Sequence, residues 1–212
     1  MILIGMFDSP FVRRVAVTLK ILEIPFHHKN WSVGRDQMQI RKYNPLGRVP
    51  TLVLDDNEIL MESSAILDYI DDRVGRDRAL LPVHGAPRRR ALQLMSLATG
   101  AADKAVQVIY ESFFRPPEKR HEPWLKRLSE QMEGALVVLD HACAQIEGDD
   151  WLVDEGITQA DVTVACCFTY ISEALKLPPG VYPSLRRHVI RCEKLPAFKS
   201  VYAPFDMPEI KT

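Results

Sequence analysis

The hydrophobic period of the chain changes once, and that change divides what it can fold into. From Ile2 to about Gly75, apolar runs of strand length alternate with helix-length stretches, whereas beyond Pro87 every apolar pattern repeats at three- and four-residue spacing. In the first part, Ile2–Met6 and Phe26–Trp31 read as strands. Between them, Val12, Val15, Ala16, Leu19 and Leu22 mark one face of a helix. Ser9 is expected at its N-cap and Pro10 at its first position, where a missing N–H is harmless, and Pro25 closes the connection. A strand–helix–strand unit of this length requires parallel strands with a right-handed crossover. A short irregular helix from about Gly34 to Lys42 follows. A strand at Thr51–Leu54, a turn at Asp55-Asp56-Asn57, a strand at Glu58–Met61 and a helix from Glu62 to Asp72–Gly75 complete this part.

The second part reads as purely helical. Leu92, Met95, Ala98, Ala102, Ala105, Val106, Ile109 and Phe113 share one face of a long helix that Pro116-Pro117 terminates. Leu125, Leu128, Met132, Leu136, Leu139, Cys143 and Ile146 do the same for a second, ended by Gly148, and the two should pack as an antiparallel hairpin. Thr158-Gln159-Ala160-Asp161 has the form of a capping box with Asp in place of Glu or Gln, flanked by a hydrophobic staple of Ile157 and Val162. Its helix, to about Leu175, is expected at the centre of this domain, and loss of Asp161 should cost about 1 kcal/mol or more. Tyr182–Glu193 and Pro196–Tyr202 form the last helices, with the tail from Ala203 as an extended cover or frayed end. The expected division is an α/β domain over residues 1–76, a Gly- and Pro-containing linker over 77–87 and an all-α domain over 88–212.

A formal charge of −1 and a pI near 6.6 give no reason to expect nucleic acid or an anionic membrane as partner. No apolar stretch approaches membrane-spanning length, and Asp8 interrupts any leader-like pattern, so a cytoplasmic location is expected. Cys143, Cys166, Cys167 and Cys192 lack CxxC or metal-like spacing and are read as reduced packing residues; no metal is expected. His27 and His28 have no carboxylate or second ligand at metal spacing and are read as structural.

The functional signal lies in Asn44-Pro45-Leu46-Gly47-Arg48-Val49-Pro50-Thr51-Leu52-Val53-Leu54 and in Glu62-Ser63-Ser64 shortly after it. Pro50 cannot donate a ladder hydrogen bond, so it marks the entrance of a strand. A trans bond is the common state of such a proline. A cis bond would turn the backbone of Val49 outward, where its N–H and C=O could pair with a peptide-like ligand as an added strand. The helix opened by Ser63 and Ser64 offers free N–H groups to a ligand carboxylate, and Glu62 offers a negative charge to an ammonium group. Each feature alone has a plainer use, the serines as helix caps and Glu62 as a solvated charge. Together they describe a site for a peptide-like ligand whose end carries both an amine and a carboxylate.

These residues, Asn44-Pro-Leu-Gly-Arg-Val-Pro-Thr-Leu with Glu62-Ser-Ser-Ala-Ile, resemble the glutathione-binding half of cytosolic glutathione S-transferases. The resemblance implies a thioredoxin-like first domain, an all-helical second domain, glutathione as co-substrate and a homodimer. In that family the position at the end of the first strand carries tyrosine, serine or cysteine. Here Ser9-Pro10-Phe11-Val12-Arg13 resembles the serine type, as found in bacterial members, and Ser9 is assigned as hydrogen-bond donor to the glutathione sulfur rather than as covalent nucleophile. The chemistry supports the assignment. A free thiol titrates near 8.5, and both a helix N-terminus and a donor hydroxyl favour its thiolate. A serine that merely caps its helix is the plainer alternative.

Val49 is assigned to the cysteinyl backbone of glutathione, with Val33, Pro50, Glu62 and Ser63 completing the binding set. The backbone at Val33, Arg35, Lys42 and Arg48 are the candidates for the glycyl carboxylate. Phe7, Phe11, Tyr110 and Phe114 are candidates for the wall of a pocket for a small hydrophobic electrophile, although aromatics at such spacing also build cores. Asp8 would oppose a thiolate if it faced the site. Conjugation is the expected reaction, with isomerisation, peroxide reduction and dehalogenation as variants on the same glutathione half. A non-catalytic adaptor or ligand carrier of the same fold is the alternative from another class.

Overall fold

A computed structural model of the chain describes residues 1–148 and 150–206. The strands β1 (Ile2–Ile4), β2 (His27–Lys29), β3 (Thr51–Val53) and β4 (Ile59–Met61) form one mixed sheet in the order β2-β1-β3-β4. β1 runs parallel to β2, with Leu3 opposite His28, and antiparallel to β3, with Leu3 opposite Leu52. The parallel pair is the one joined through the helix α1 (Pro10–Ile21), as a strand–helix–strand crossover demands. The two-residue alternation sorts the faces. Leu3 and Leu52 join a core with Val12, Val15 and Leu19 of α1 and with Ile66 and Ile70 of α3 (Ser63–Val74). On the other face Ile4 and Val53 pack with Ile40 of the short helix α2 (Gln37–Ile40).

β1 ends at Ile4, two residues before the apolar run does, because Gly5 turns the chain at φ +130°. A Cβ built there would lie 2.5 Å from Val12 Cγ2 and 2.8 Å from Val49 Cβ, so only glycine lets the Val49 loop close over the start of α1.

The helical domain begins with α4 (Gly85–Phe114), three residues before Arg88. Pro87 reads as a linker residue in sequence but sits in the first turn of the helix, where no intrahelical N–H is needed. α4 and α5 (Glu122–Ala144) pack as the expected pair, and α6 (Gln159–Ala174) packs between α4 and α1. Twelve of the sixteen α6 residues are buried, which makes it the centre of the domain rather than an amphipathic surface helix. The capping box is present: Thr158 Oγ1 accepts from the Ala160 N–H at 3.3 Å, and Asp161 Oδ2 accepts from the Thr158 N–H at 2.8 Å. α7 (Pro183–Glu193) and α8 (Pro196–Lys199) follow; α8 stops three residues short of Tyr202. No helix among the described residues is long and apolar enough to cross a membrane.

The two domains share α1. Its Thr18 hydroxyl accepts from Gln159 Nε2 of α6 at 2.7 Å, and Arg13 forms a bidentate pair with Glu193 of α7 at 2.7 and 2.6 Å. Such links tie α1 to α6 and α7 of the helical domain.

Candidate active site

Ser9 caps α1 with β-region dihedrals, φ −68° and ψ 123°, and its hydroxyl accepts from the Val12 N–H at a long 3.5 Å. A hydroxyl that accepts in the cap still has a proton to donate elsewhere, so capping and thiol activation are compatible uses of the same side chain. Ser9 lines a cavity of about 690 Å³ between the domains. Val33 and Val49 line it too, as do Arg35 and Arg48. From the helical side come Asp103, Tyr110 and Phe114 of α4 and Tyr170 of α6.

The Val49-Pro50 bond is cis. Val49 is half-buried on the cavity wall, and no hydrogen bond among the described residues falls on its N–H or C=O. Pro50 is buried behind it and does not line the cavity. Glu62 and Ser63, at the α3 N-terminus, are not among the residues that line the cavity. Glu62, not a serine, is the N-cap of α3, and its side chain makes no cap bond. Its backbone is held at φ +68°, a conformation that costs a non-glycine residue about 1–3 kcal/mol and that recurs at ligand clamps. The exposed Glu62 carboxylate lies 3.8 Å from Arg48 Nη1, which ties it to the cavity margin. The expectation that Ser63 or Ser64 caps α3 is therefore corrected: both hydroxyls accept instead from the buried Arg14 guanidinium, at 2.8 and 3.0 Å.

Of the aromatic wall, Phe11, Tyr110 and Phe114 line the cavity, with Tyr110 and Phe114 in edge-to-face contact at 5.1 Å. Phe7 does not. It stacks on His28 at 3.8 Å, and His28 Nε2 bonds the Gly5 carbonyl at 2.7 Å, so both serve the sheet edge. Lys42 also stands outside the cavity, whereas Arg35 lines it and pairs with Asp206 at 2.9 Å.

Asp8 is among the residues that line the cavity, and its Oδ2 accepts from the Asp206 N–H at 3.2 Å. Burial raises its pKa above the usual carboxylate range, opposed by hydrogen bonds from backbone N–H groups that include Asp206. A carboxylate beside Ser9 disfavours a second anion there. Asp8→Asn is therefore expected to lower the pKa of a thiol bound at Ser9 by a few tenths of a unit, moving the acid limb of the rate profile to lower pH. A profile displaced upward or left in place would show that the Asp8 charge does not reach the thiol.

Asp103 is a site residue that sequence reading missed. It sits between Ala102 and Ala105 of the buried α4 face, and burial raises its pKa against the opposing field of Arg48. An acidic residue next to an apolar stripe was the only signal. Tyr170 and Phe205 were missed as well, because their places on the wall depend on the packing of α6 and of the chain end.

The four cysteines are free and buried. Burial pushes the Cys143 and Cys167 thiols up to about 12 and those of Cys166 and Cys192 further, which keeps them unreactive. Among the described residues no cluster of His, Cys, Asp or Glu could hold a metal ion.

Comparison with known proteins decides the family. The glutathione S-transferase N-terminal domain profile matches residues 3–78, and the C-terminal domain profile matches residues 101–196. A glutathione transferase family member from Pseudomonas fluorescens Pf-5, solved with bound glutathione, is 30% identical with a TM-score of 0.82, covering 96% of this chain and 99% of that one. This chain belongs to the glutathione S-transferase family. A glutathione S-transferase of Methylobacterium radiotolerans, in complex with glutathione sulfonate, superposes with a TM-score of 0.88 at 27% identity over 99% and 98% of the two chains. The uncharacterized GST-like protein YibF of Escherichia coli K12 is 28% identical over 80% of this chain and 81% of its own.

Proposed function

We propose that this glutathione S-transferase family member activates the glutathione thiol at Ser9 for attack on a small apolar electrophile. The observation that carries the reading is the position of Ser9 at the α1 N-cap on the wall of an interdomain cavity, with Val33 and Val49 on the same wall. Glutathione would lie along the N-terminal domain. Its cysteinyl backbone would pair with the unused N–H and C=O of Val49, presented by the cis Pro50, and its sulfur would accept from Ser9 near the positive end of the α1 dipole. The γ-glutamyl carboxylate would meet the free N–H groups at Ser63, with its ammonium between Glu62 and Asp103. The glycyl end would approach Val33 and Arg35. The electrophile would occupy the aromatic side formed by Phe11, Tyr110 and Phe114, where exclusion of water strengthens every interaction with developing charge.

The test is ultraviolet titration of the bound thiolate together with calorimetric affinity. A bound thiol titrating well below its free value of about 8.5 is the expected result. Tight binding with an unshifted thiol would instead describe a carrier, and no binding an adaptor of the same fold. Glu62→Ala should weaken glutathione affinity about 10-fold through loss of the ammonium partner, and an unchanged dissociation constant would remove that role. A cytoplasmic homodimer is part of the same proposal, and sedimentation equilibrium tests the dimer.

A further inference from the structure

Asp8 works against the chemistry proposed for its neighbour. A carboxylate beside Ser9 disfavours the thiolate that the Ser9 hydroxyl favours, so its place on the cavity wall calls for a use of its own. The charges of that wall single it out. Three carboxylates line the cavity, Asp8, Asp103 and Asp206, against two guanidiniums, Arg35 and Arg48. Both guanidiniums are met by acids: Arg35 by Asp206 at 2.9 Å and Arg48 by Glu62 at 3.8 Å. Asp103 is the carboxylate proposed for the glutathione ammonium. That leaves Asp8. It forms no salt bridge among the described residues and takes its hydrogen bonds from backbone N–H groups, Asp206 at 3.2 Å among them. Bound glutathione, with two carboxylates and a thiolate against one ammonium, makes this wall more negative still.

Aromatic rings surround the same space. Phe11, Tyr110, Phe114, Tyr170 and Phe205 line the cavity, with Tyr110 and Phe114 in edge-to-face contact at 5.1 Å and Tyr170 and Phe205 at 5.6 Å. Burial raises the pKa of the Tyr110 and Tyr170 hydroxyls and the Asp8 charge adds to it, which sets the carboxylate within electrostatic reach of both side chains. Ring faces attract cations, more strongly where water is excluded, and a carboxylate among them does the same. A neutral apolar body would fill this space and leave Asp8 without a counter-charge. An anionic one would meet Asp8, Asp206 and the thiolate together. We infer that the electrophile carries a positive charge on its apolar body, as a quaternary ammonium or a protonated amine, and that Asp8 with the surrounding rings selects it. The inference rests on the thiol-activation reading above and narrows its substrate class. Asp8 is then a specificity-determining residue, which meets the second substrate while Ser9 meets the sulfur.

The experiment compares para-(trimethylammonio)benzyl bromide with para-tert-butylbenzyl bromide, which share a shape and differ by one charge. In both, the glutathione sulfur bonds to the benzylic carbon as the carbon–bromine bond breaks and bromide leaves. Each kcat/KM is divided by the rate of the uncatalysed reaction with glutathione at the same pH, which removes the difference in intrinsic reactivity. The parent should favour the cationic compound about 10-fold, and Asp8→Asn should bring that preference close to unity. Asp8→Asn moves the thiol pKa equally for both compounds, so the ratio isolates recognition of the electrophile. Equal normalised values on the parent, or a preference that Asp8→Asn leaves in place, would overturn the inference. Should Asp8→Asn fail to fold, the ratio for Asp8→Ser decides in the same way. A parent whose bound thiol is unshifted and which turns over neither compound would overturn the thiol-activation reading and this inference together; a shifted thiol without a preference for the cationic compound overturns the inference alone.

Discussion

Ser9→Ala should raise the pKa of the bound glutathione thiol by about one to two units while leaving glutathione affinity nearly intact. The magnitude is that of one hydrogen bond to a charged acceptor, about 1.5 to 3 kcal/mol. The rate at fixed pH falls less than the thiolate fraction does, because a more basic thiolate is a better nucleophile, with a Brønsted slope of about 0.4 to 0.5. At a pH below both thiol pKa values the expected loss in rate is therefore about 3- to 16-fold, and above both the variant should equal or exceed the parent. That crossing of the two pH profiles separates thiol activation from loss of a helix cap, which would lower the rate equally at every pH. The cap contribution itself should be small, about 0.5 kcal/mol, since the Val12 N–H lies at 3.5 Å. Parallel pH–rate profiles, or an unmoved thiol, would leave Ser9 as a cap.

The place of Ser9 at the α1 N-cap was legible because two local signals converge on it: the end of an apolar run and a Ser-Pro helix start. The cavity face of the N-terminal domain follows from the same kind of signal, a turn sequence and a proline at a strand entrance. The Thr158–Asp161 box was legible for the same reason, since a capping box is written within four residues. What failed to show was whatever depends on the packing of one domain against the other. Arg13 and Arg14 lie in a helix whose apolar stripe predicts one buried face, and charge assigns the rest to solvent. α1 is covered twice, by the sheet and by α6, so both arginines are buried and find partners far away in the chain. Periodicity reports the faces of one helix; it carries no record of a second layer laid over it.

The same limit explains the serines of α3. A serine at a helix start reads as a cap because the local competition is between its own side chain and its own backbone. Here Arg14, 49 residues earlier in the chain, takes the Ser63 hydroxyl, and the cap position moves back to Glu62 in a left-handed conformation. Asp103 escaped notice because one acidic residue among alanines has no pattern to break.

Asp161→Ala should destabilise the protein by about 3 kcal/mol or more, well beyond the roughly 1 kcal/mol of an ordinary lost cap. Asp161 is fully buried, and its carboxylate serves more than α6. Oδ2 accepts from the Thr158 N–H and hydroxyl, each at 2.8 Å, while Oδ1 accepts from the Leu152 N–H at 3.0 Å and lies 3.3 Å from His188 Nε2 of α7. Truncation therefore strands donors from the loop before α6 and two from the cap itself in a site that water does not reach, and each stranded buried donor costs about 1 to 3 kcal/mol. Asp161→Asn keeps the volume but replaces one acceptor oxygen with an amide that faces existing donors, so it should recover only part of the loss. Denaturant unfolding monitored by fluorescence checks both values, with a lower midpoint at constant m-value as the expected signature. A loss within 1 kcal/mol would mean that the loop and the cap find other partners. Because Asp161 lies outside the cavity, the thiol pKa of the folded variant should equal that of the parent, opposite to the result expected for Ser9→Ala.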